Sequence, residues 1–351
     1  MTGPAAQPST KLAVDGSRGG FVLALVVLML FAISIMGGAG YLIVSSEARM
    51  ARYATQGEEA LAIARGGLHR FMSEQLGVVA DSVRYAIGAG ETLVTARRMA
   101  AVDPVTDVYF VRSEAAIVDP FSPGTPARRV VGAYAHHRRR PVPLHAAIVL
   151  SVEDLLVGNN SNVSGVDIGG AVCPGGAAPS IGGAIAREDI HVNGTLVGTP
   201  PAQLWGGGYS QFMTQMALRW DVLSDPGFPV DFEDVYPDFS TLPADSFPVI
   251  RFNGNFHGTP SRSGRGVLIV RDEFDSVGTF TWEGIVLAGW VDDRIMGNIE
   301  GMLIGGFSGT EPNDEVETRN GDILYHACNV SRANESLSYL ELIPNTLFEV
   351  R

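Results

Sequence analysis

The sequence predicts an α+β fold, in which a long N-terminal transmembrane and amphipathic helix precedes a β-rich head. Residues 19–46 carry no charge, a run of about 28 positions where roughly 20 suffice for a helix to cross a bilayer. The chain of 351 residues also contains 42 glycines and 20 prolines, which favours a turn-rich β structure for the part that follows the helix.

The charge of the chain limits its partners. The formal net charge is -13, and a general affinity for nucleic acid or anionic lipid would require a basic surface instead. One basic run, residues 136–140, precedes a Pro-Val-Pro turn. We expect this run to be a solvated loop, with a phosphate or lipid contact as the alternative. No nucleic-acid partner is predicted.

The uncharged segment has three interpretations: a cleaved export signal, a permanent anchor, or the processed end of a subunit that packs beside related subunits. A signal peptide has a shorter apolar region, of about 7 to 15 residues, before small residues at its cleavage site. Residues 37–40 (Gly-Gly-Ala-Gly) imitate such a site, but the apolar sequence resumes at residues 41–44. The segment is therefore predicted to span the membrane, and Lys11 and Arg18 before it favour a cytoplasmic N-terminus.

An amphipathic pattern follows the span. Apolar residues that include Met50, Tyr53, Leu61 and Leu68 recur mostly at three- and four-residue steps between Arg and Glu. No proline interrupts residues 21–76, so one rod of roughly 84 Å is predicted. This helix is either an anchor with a stalk, or a helix whose upper half docks on a head while its lower half packs among other helices.

The N-terminal residues resemble those of a known family. A hydrophilic leader ending in Arg-Gly-Gly, the aromatic Phe21, the apolar segment and the E-A-R-M-A and E-E-A-L sequences are similar to type IV pilus minor pilins of the PilX kind. They are also similar to the related tip pseudopilins of type II secretion. The resemblance covers residues 11–72, roughly a fifth of the chain.

The resemblance implies how the chain is processed and what it meets. Residues 1–20 would be a leader peptide and residues 21–76 the pilin-like helix. A prepilin peptidase would cut between Gly20 and Phe21, where its substrates need a small residue. The implied partners are this peptidase, other pilins or pseudopilins, the pilus assembly machinery and the membrane.

One position departs from the family pattern. Major pilins carry a Glu at the fifth mature position, and the corresponding residue here is Leu25. A carboxylate in an apolar filament centre requires a partner charge. Leu25 is therefore predicted as a permissive apolar packing residue, which suits a subunit at a filament tip and equally suits a protein that never enters a filament.

The head is predicted to have two regions. Residues 77–157 contain strand-like runs such as VTDVYFVRSEA and ARRVVGAYAH, and the second run again resembles the first head region of PilX-like proteins. Residues 158–351 are rich in glycine, with an inserted helix and a proline-rich loop near residues 209–248.

Repeats in the second region predict its architecture. The sequences GVLIV, GIVLAG and GMLIGG begin at Gly266, Gly284 and Gly301, at steps of about 18 and 17 residues, which is the scale of stacked turns in a solenoid. Each apolar row would bury the next. We predict a solenoid-like β-helix of a few turns, with an antiparallel sandwich as the alternative. The repeats and the C-terminal residues LIPNTLFEVR also resemble the carboxyl half of PilX-like proteins.

The two cysteines, Cys173 and Cys328, are candidates for a disulfide. Their part of the chain would lie in an oxidising compartment if the predicted orientation holds. A bridge of this span contributes roughly 4 to 5 kcal/mol in the chain-entropy treatment. Two separate buried thiols are the alternative, and because the spacing is not that of a metal-binding motif, no metal site is predicted.

The sequence contains no Walker A loop, zinc-protease helix or serine-hydrolase elbow. No enzyme activity and no cofactor are predicted. Acidic residues offer a glycosidase-like pair as an alternative, and these are Asp272, Glu273, Asp275, Asp292 and Asp293. A Ca²⁺ site is a further alternative, using the same residues or Glu311, Asp314, Glu315 and Glu317.

These observations predict a non-catalytic, minor pilin-like subunit. It would sit in the bacterial inner membrane with its head in the periplasm, or on the extracellular pilus surface, and display the head for priming, capping or adhesion. A single-pass envelope scaffold or adhesion protein that never enters a filament is the first alternative. A membrane-anchored carbohydrate-active enzyme is the second.

Overall fold

The computed structural model describes residues 17–75, 77, 79–88, 90–119, 122–170, 173, 178–307 and 315–350. The helices are α1 (Ser17–Glu74), α2 (Tyr209–Met216), α3 (Trp220–Leu223) and α4 (Ala327–Ser336). The strands of the first half are β1 (Ser82–Ile87), β2 (Gly90–Asp103), β3 (Thr106–Asp119), β4 (Ser122–Arg139), β5 (Ala146–Leu150), β6 (Asp154–Val157), β7 (Asn162–Ser164), β8 (Gly182–Ala186), β9 (Asp189–Val192), β10 (Thr195–Val197) and β11 (Ala202–Leu204). Those of the second half are β12 (Phe232–Glu233), β13 (Val249–Phe252), β14 (Phe256–Gly258), β15 (Gly264–Ser276), β16 (Thr281–Gly305), β17 (Glu315–Leu324), β18 (Ser338–Leu342) and β19 (Phe348–Glu349).

An antiparallel sheet, which we call the meander, packs against the C-terminal half of α1. Its strand order is β1-β2-β3-β4-β18, and β19 pairs with β4 beyond the end of β18. Alternate residues of β2 and β3 point to the buried face, among them Val94 and Val111, as expected for a sheet with one covered face. The predicted arrangement of one long helix followed by a β-rich region is confirmed.

The second sheet, which we call the parallel stack, contains 13 strands, and every described pair in it is parallel. Phe232 lies beside Ile250, Ile250 beside Leu268, and Leu268 beside Val286, at steps of about 18 residues as the repeats predict. Parallel pairing of neighbouring strands is not the arrangement of the alternative prediction, an antiparallel sandwich. Aromatic rings follow the same step, since Phe256 stacks on Phe274 with ring centroids 6.3 Å apart.

The chain visits the parallel stack out of sequence order. Leu303 in β16 pairs with Ile148 in β5, Ile148 pairs with Ala184 in β8, and Ala184 pairs with Ala202 in β11. The earlier segment, residues 146–204, therefore continues the stack that the later segment, residues 232–324, begins. The connection between β11 and β12 must return from one end of the stack to the other, and it carries α2 and α3 along the way.

The first position of each sequence repeat is a glycine because neighbouring turns of the stack approach closely there. A Cβ on Gly284 would lie 2.3 Å from the carbonyl oxygen of Gly266, and one on Gly301 would lie 1.7 Å from that of Gly284. Gly266 and Gly284 also have φ angles of 112° and 126°, which side chains rarely adopt. The leading glycine of each repeat thus permits the backbones of successive turns to touch.

The two sheets divide the chain differently from the predicted regions 77–157 and 158–351. The strands β5 and β6 pair within the parallel stack, whereas β18 and β19, near the C-terminus, pair with β4 of the meander. The pairing of β18 also corrects the prediction for the basic run: residues 136–139 belong to β4, because Leu340 pairs with His137 and Tyr339 with Arg138. The local sequence indicates which residues form a strand, but it does not indicate which other strand they pair with.

The predicted inserted helix is interrupted. Ala217 has a left-handed backbone with φ of 55°, which ends α2 and separates it from α3. Both helices lie against the stack: Phe212 and Met216 are fully buried, and the ring of Trp220 stacks on Phe307 with centroids 4.6 Å apart.

Candidate functional site

The N-terminal half of α1 is an exposed apolar surface, which we call the apolar rod and define as residues 22–44. Its most apolar window has no buried residue, and the helix is long and apolar enough to cross a membrane, which indicates membrane anchoring. Leu25 is 45% exposed and Met36 is 76% exposed. Each large apolar side chain left in water forgoes about 1.5 to 3 kcal/mol of burial free energy. The rod is therefore suited to lipid or to other apolar helices.

The C-terminal half of α1 has its own partner within the chain. Ala60, Ala64, Leu68 and Phe71 lie at three- and four-residue steps on one face and are fully buried against the meander. The same helix thus has a covered upper half and an uncovered lower half.

The helix backbone at Gly67 lies very close to the meander where α1 packs on it. A Cβ on Gly67 would lie 2.2 Å from Cγ2 of Thr92 and 3.2 Å from Oγ of Ser113. The hydroxyl of Thr92 donates a hydrogen bond to the carbonyl of Glu114 at 3.0 Å, and its oxygen lies 2.8 Å from that of Ser113. Two buried hydroxyls are satisfied in this way directly beneath the helix backbone.

The predicted packing residues of α1 divide into two groups. Leu68 is fully buried and Leu61 is half-buried, so both contact the meander. Leu25, Met50 and Tyr53 remain exposed on this chain. The predicted processing residues Gly20 and Phe21 lie within the first turns of α1, and their side chains are outside the described residues.

Cys173 and Cys328 form a disulfide whose Cα atoms are 5.5 Å apart. The bridge borders a cavity of about 850 Å³ between α4 and the distal end of the meander, where Pro104 and Arg139 also line it. His326 lies beside the two sulfurs. This histidine is not among the residues predicted from the sequence, although the His-Ala-Cys spacing of residues 326–328 was an available signal.

The acidic residues considered for catalysis lie on the parallel stack in side-chain ladders. Asn255 donates to Glu273 at 2.9 Å, and His257 contacts Asp275, each pair occupying adjacent turns. Burial raises the pKa of the Glu273 carboxyl, and the charges of Asp292 and Asp275 raise it further. These contacts extend the strand pairing through the side chains. Asp272 and Asp293 are exposed.

The remaining candidates do not form a site among the described residues. Glu311 and Asp314 lie outside the residues that the structure describes, Glu315 is exposed, and Glu317 is half-buried beside Gly158.

Two arginines of the basic run form ion pairs with carboxylates of this chain. Arg138 pairs with Glu341, and Arg139 pairs with the buried Asp107 at 3.2 Å.

Comparison of this chain with protein-family models, with curated proteins and with solved structures yields no match.

Proposed function

We propose that this protein is a minor pilin-like subunit that inserts its N-terminal helix into a type IV pilus or a related assembly. The observation that carries the proposal is the division of α1 into an exposed apolar rod and a half that docks on the meander. Such a helix leaves its lower half available to other subunits while holding the head at a fixed position. The action is non-covalent and needs no catalytic residue.

Small residues in the apolar rod favour the interpretation that the rod packs against other helices and does not contact lipid alone. Apart from the backbone of α1 itself, no atom of the described residues lies within 4 Å of a Cβ added to Gly37, Gly38 or Gly40, so a second helix can approach their backbone closely. Close approach through small residues is a principal means by which membrane helices associate, because lipid is as apolar as the helices themselves. Leu25 leaves the rod without a charge that would need a partner.

The proposal includes leader removal between Gly20 and Phe21 by a prepilin peptidase. The short N-terminus would face the cytoplasm and the head the periplasm or the pilus surface. The disulfide supports an oxidising location for the head.

We also interpret the parallel stack as a β-solenoid. Its support is the step of about 18 residues shared by the sequence repeats, the strand register and the aromatic stacking. A rigid stack of this kind suits a displayed head used for priming, capping or adhesion.

A photocrosslinking experiment in native membranes tests the proposal. A photoreactive residue at Leu25 is expected to form adducts with another protein that has an apolar N-terminal helix. The same residue at Leu68 is the matched control, and its products should be intramolecular because Leu68 is covered by the meander. Adducts with lipid alone at Leu25 would contradict the proposal and favour a single-pass envelope scaffold.

A further inference from the structure

Three metal-ligating side chains converge beside the cavity described above. The two sulfurs of Cys173 and Cys328 and a ring nitrogen of His326 all lie within 4.8 Å of one another. The fold brings Cys173 to the start of α4, where His326 and Cys328 lie, and the two cysteines are 155 positions apart in sequence.

The histidine has an unused ligand atom in this group. Its Nδ1 is buried and has no hydrogen-bond partner among the residues that the structure describes. A Cβ placed on Gly169 would lie 2.6 Å from Sγ of Cys173 and 2.9 Å from Nδ1 of His326, so both atoms border the same small space. A buried polar atom without a partner is costly, and a cation at this point would satisfy the unprotonated nitrogen.

A carboxylate holds the two segments in place. Asp167 accepts backbone hydrogen bonds from Gly169, Ala178 and Ala327, each at 3.0 Å. Burial acts to raise the pKa of Asp167, but the three donors together outweigh it, and the pKa is lowered. The carboxylate therefore joins Gly169 and Ala178 to Ala327, the first residue of α4.

We propose that the reduced form of this protein binds one thiophilic divalent cation of the zinc class through Cys173, Cys328 and His326. Zinc takes thiolate sulfur at about 2.3 Å and imidazole nitrogen at about 2.0 to 2.1 Å in tetrahedral geometry. Tetrahedral bonds of that length separate the sulfurs to about 3.8 Å, which rotation about the Cα–Cβ bonds can provide. A water from the cavity supplies the fourth ligand.

The disulfide and the cation compete for the same sulfurs. A dithiol reductant transfers two electrons to the disulfide, becomes a disulfide itself and leaves two protein thiols. Binding of the cation forms two metal–sulfur bonds and releases both thiol protons to solvent. A small-molecule disulfide re-forms the bridge: it takes two electrons from the thiolates, takes up two protons and leaves as two thiols. This frees the cation, so the site is occupied only while the bridge is open.

Cobalt(II) titration of the full chain in detergent tests this proposal. The protein is reduced with a phosphine and the reductant removed. We expect one cobalt per chain, with the thiolate charge-transfer and tetrahedral ligand-field absorption bands, and displacement by zinc. The oxidised protein should show neither band.

Variants separate a built site from adventitious thiol binding. His326→Ala is expected to lower the affinity at least about tenfold, since even residues that only orient a ligand change affinity by that much. His69→Ala, at an exposed position on α1, should leave the affinity unchanged. Zinc should also protect both cysteines of the reduced wild-type chain from alkylation, and a chelator should remove the protection. Less than one ion per chain, equal affinity in His326→Ala, no protection, or unfolding of the chain on reduction would each overturn the proposal.

Discussion

Arg251 is a charged side chain that the fold buries almost completely. It is 1% exposed and donates to the carbonyls of Asp225, Pro226 and Phe228 at 2.7 to 3.1 Å and to the carboxylate of Glu233 at 2.9 Å. These bonds attach the loop after α3 to the first turn of the parallel stack. Replacing it by Met would leave three carbonyls and a carboxylate without this donor.

We expect Arg251→Met to reduce the free energy of unfolding by at least about 1 to 3 kcal/mol, the cost of leaving one buried acceptor without its donor. Denaturant titration followed by tryptophan fluorescence measures the loss. Arg219→Met is the control, because the Arg219 side chain is 65% exposed and pairs only with the equally exposed Asp221. Equal losses in the two variants would show that the buried bonds add nothing.

Gly284 tests the backbone contact between turns of the stack. Gly284→Ala combines a strained φ of 126° with a Cβ 2.3 Å from the Gly266 carbonyl. We expect a loss of at least about 1 to 3 kcal/mol in unfolding free energy from the strained backbone alone. Gly254→Ala, whose Cβ meets no atom within 4 Å, should change stability little. A neutral Gly284→Ala would contradict the close stacking.

His137 makes stability depend on pH. Burial lowers the pKa of its ring, although the hydrogen bond to the Gly77 carbonyl opposes this. Because the unfolded chain then binds a proton more readily, stability falls as the pH drops from the ordinary histidine pKa of about 6.5 through the folded value. Unfolding midpoints measured across this range should fall for the wild type and fall less for His137→Gln. His191→Gln, at an exposed site, should behave as the wild type.

At the scale of elements, α1 is a single helix with two different environments. Phe71 is fully buried against the meander, whereas Leu30 on the apolar rod is 60% exposed. We expect Phe71→Ala to cost about 3 to 5 kcal/mol, measured as lost hydrogen-exchange protection in β2 and β3. Leu30→Ala should leave that protection unchanged in detergent. Equal protection in both variants would contradict docking of the helix.

The elements differ in how much of them the sequence predicts. The helix could be predicted because charge-free and amphipathic patterns are local. Leu61 and Leu68 face the meander, whereas Met50 is exposed on this chain. The repeat predicted the step of the stack because Gly284 and Gly301 begin similar sequences. It did not predict that Leu303 meets Ile148, because a partner about 155 residues away leaves no local trace.

The whole molecule joins an apolar rod, a docked helix half, the meander and the parallel stack in one chain. The return of β18 and β19 to β4 ties the C-terminus to the sheet that carries α1. This arrangement connects the stack to α1 through the meander. The sequence does not show this connection, because it depends on contacts between distant segments.

The most direct test of the central claim is the N-terminal residue of the protein purified from membranes of its native cell. The account predicts a chain that begins at Phe21, after removal of the 20 residues that precede it. A chain that still begins at Met1 or Thr2 would contradict prepilin processing and leave an anchored envelope protein as the better account.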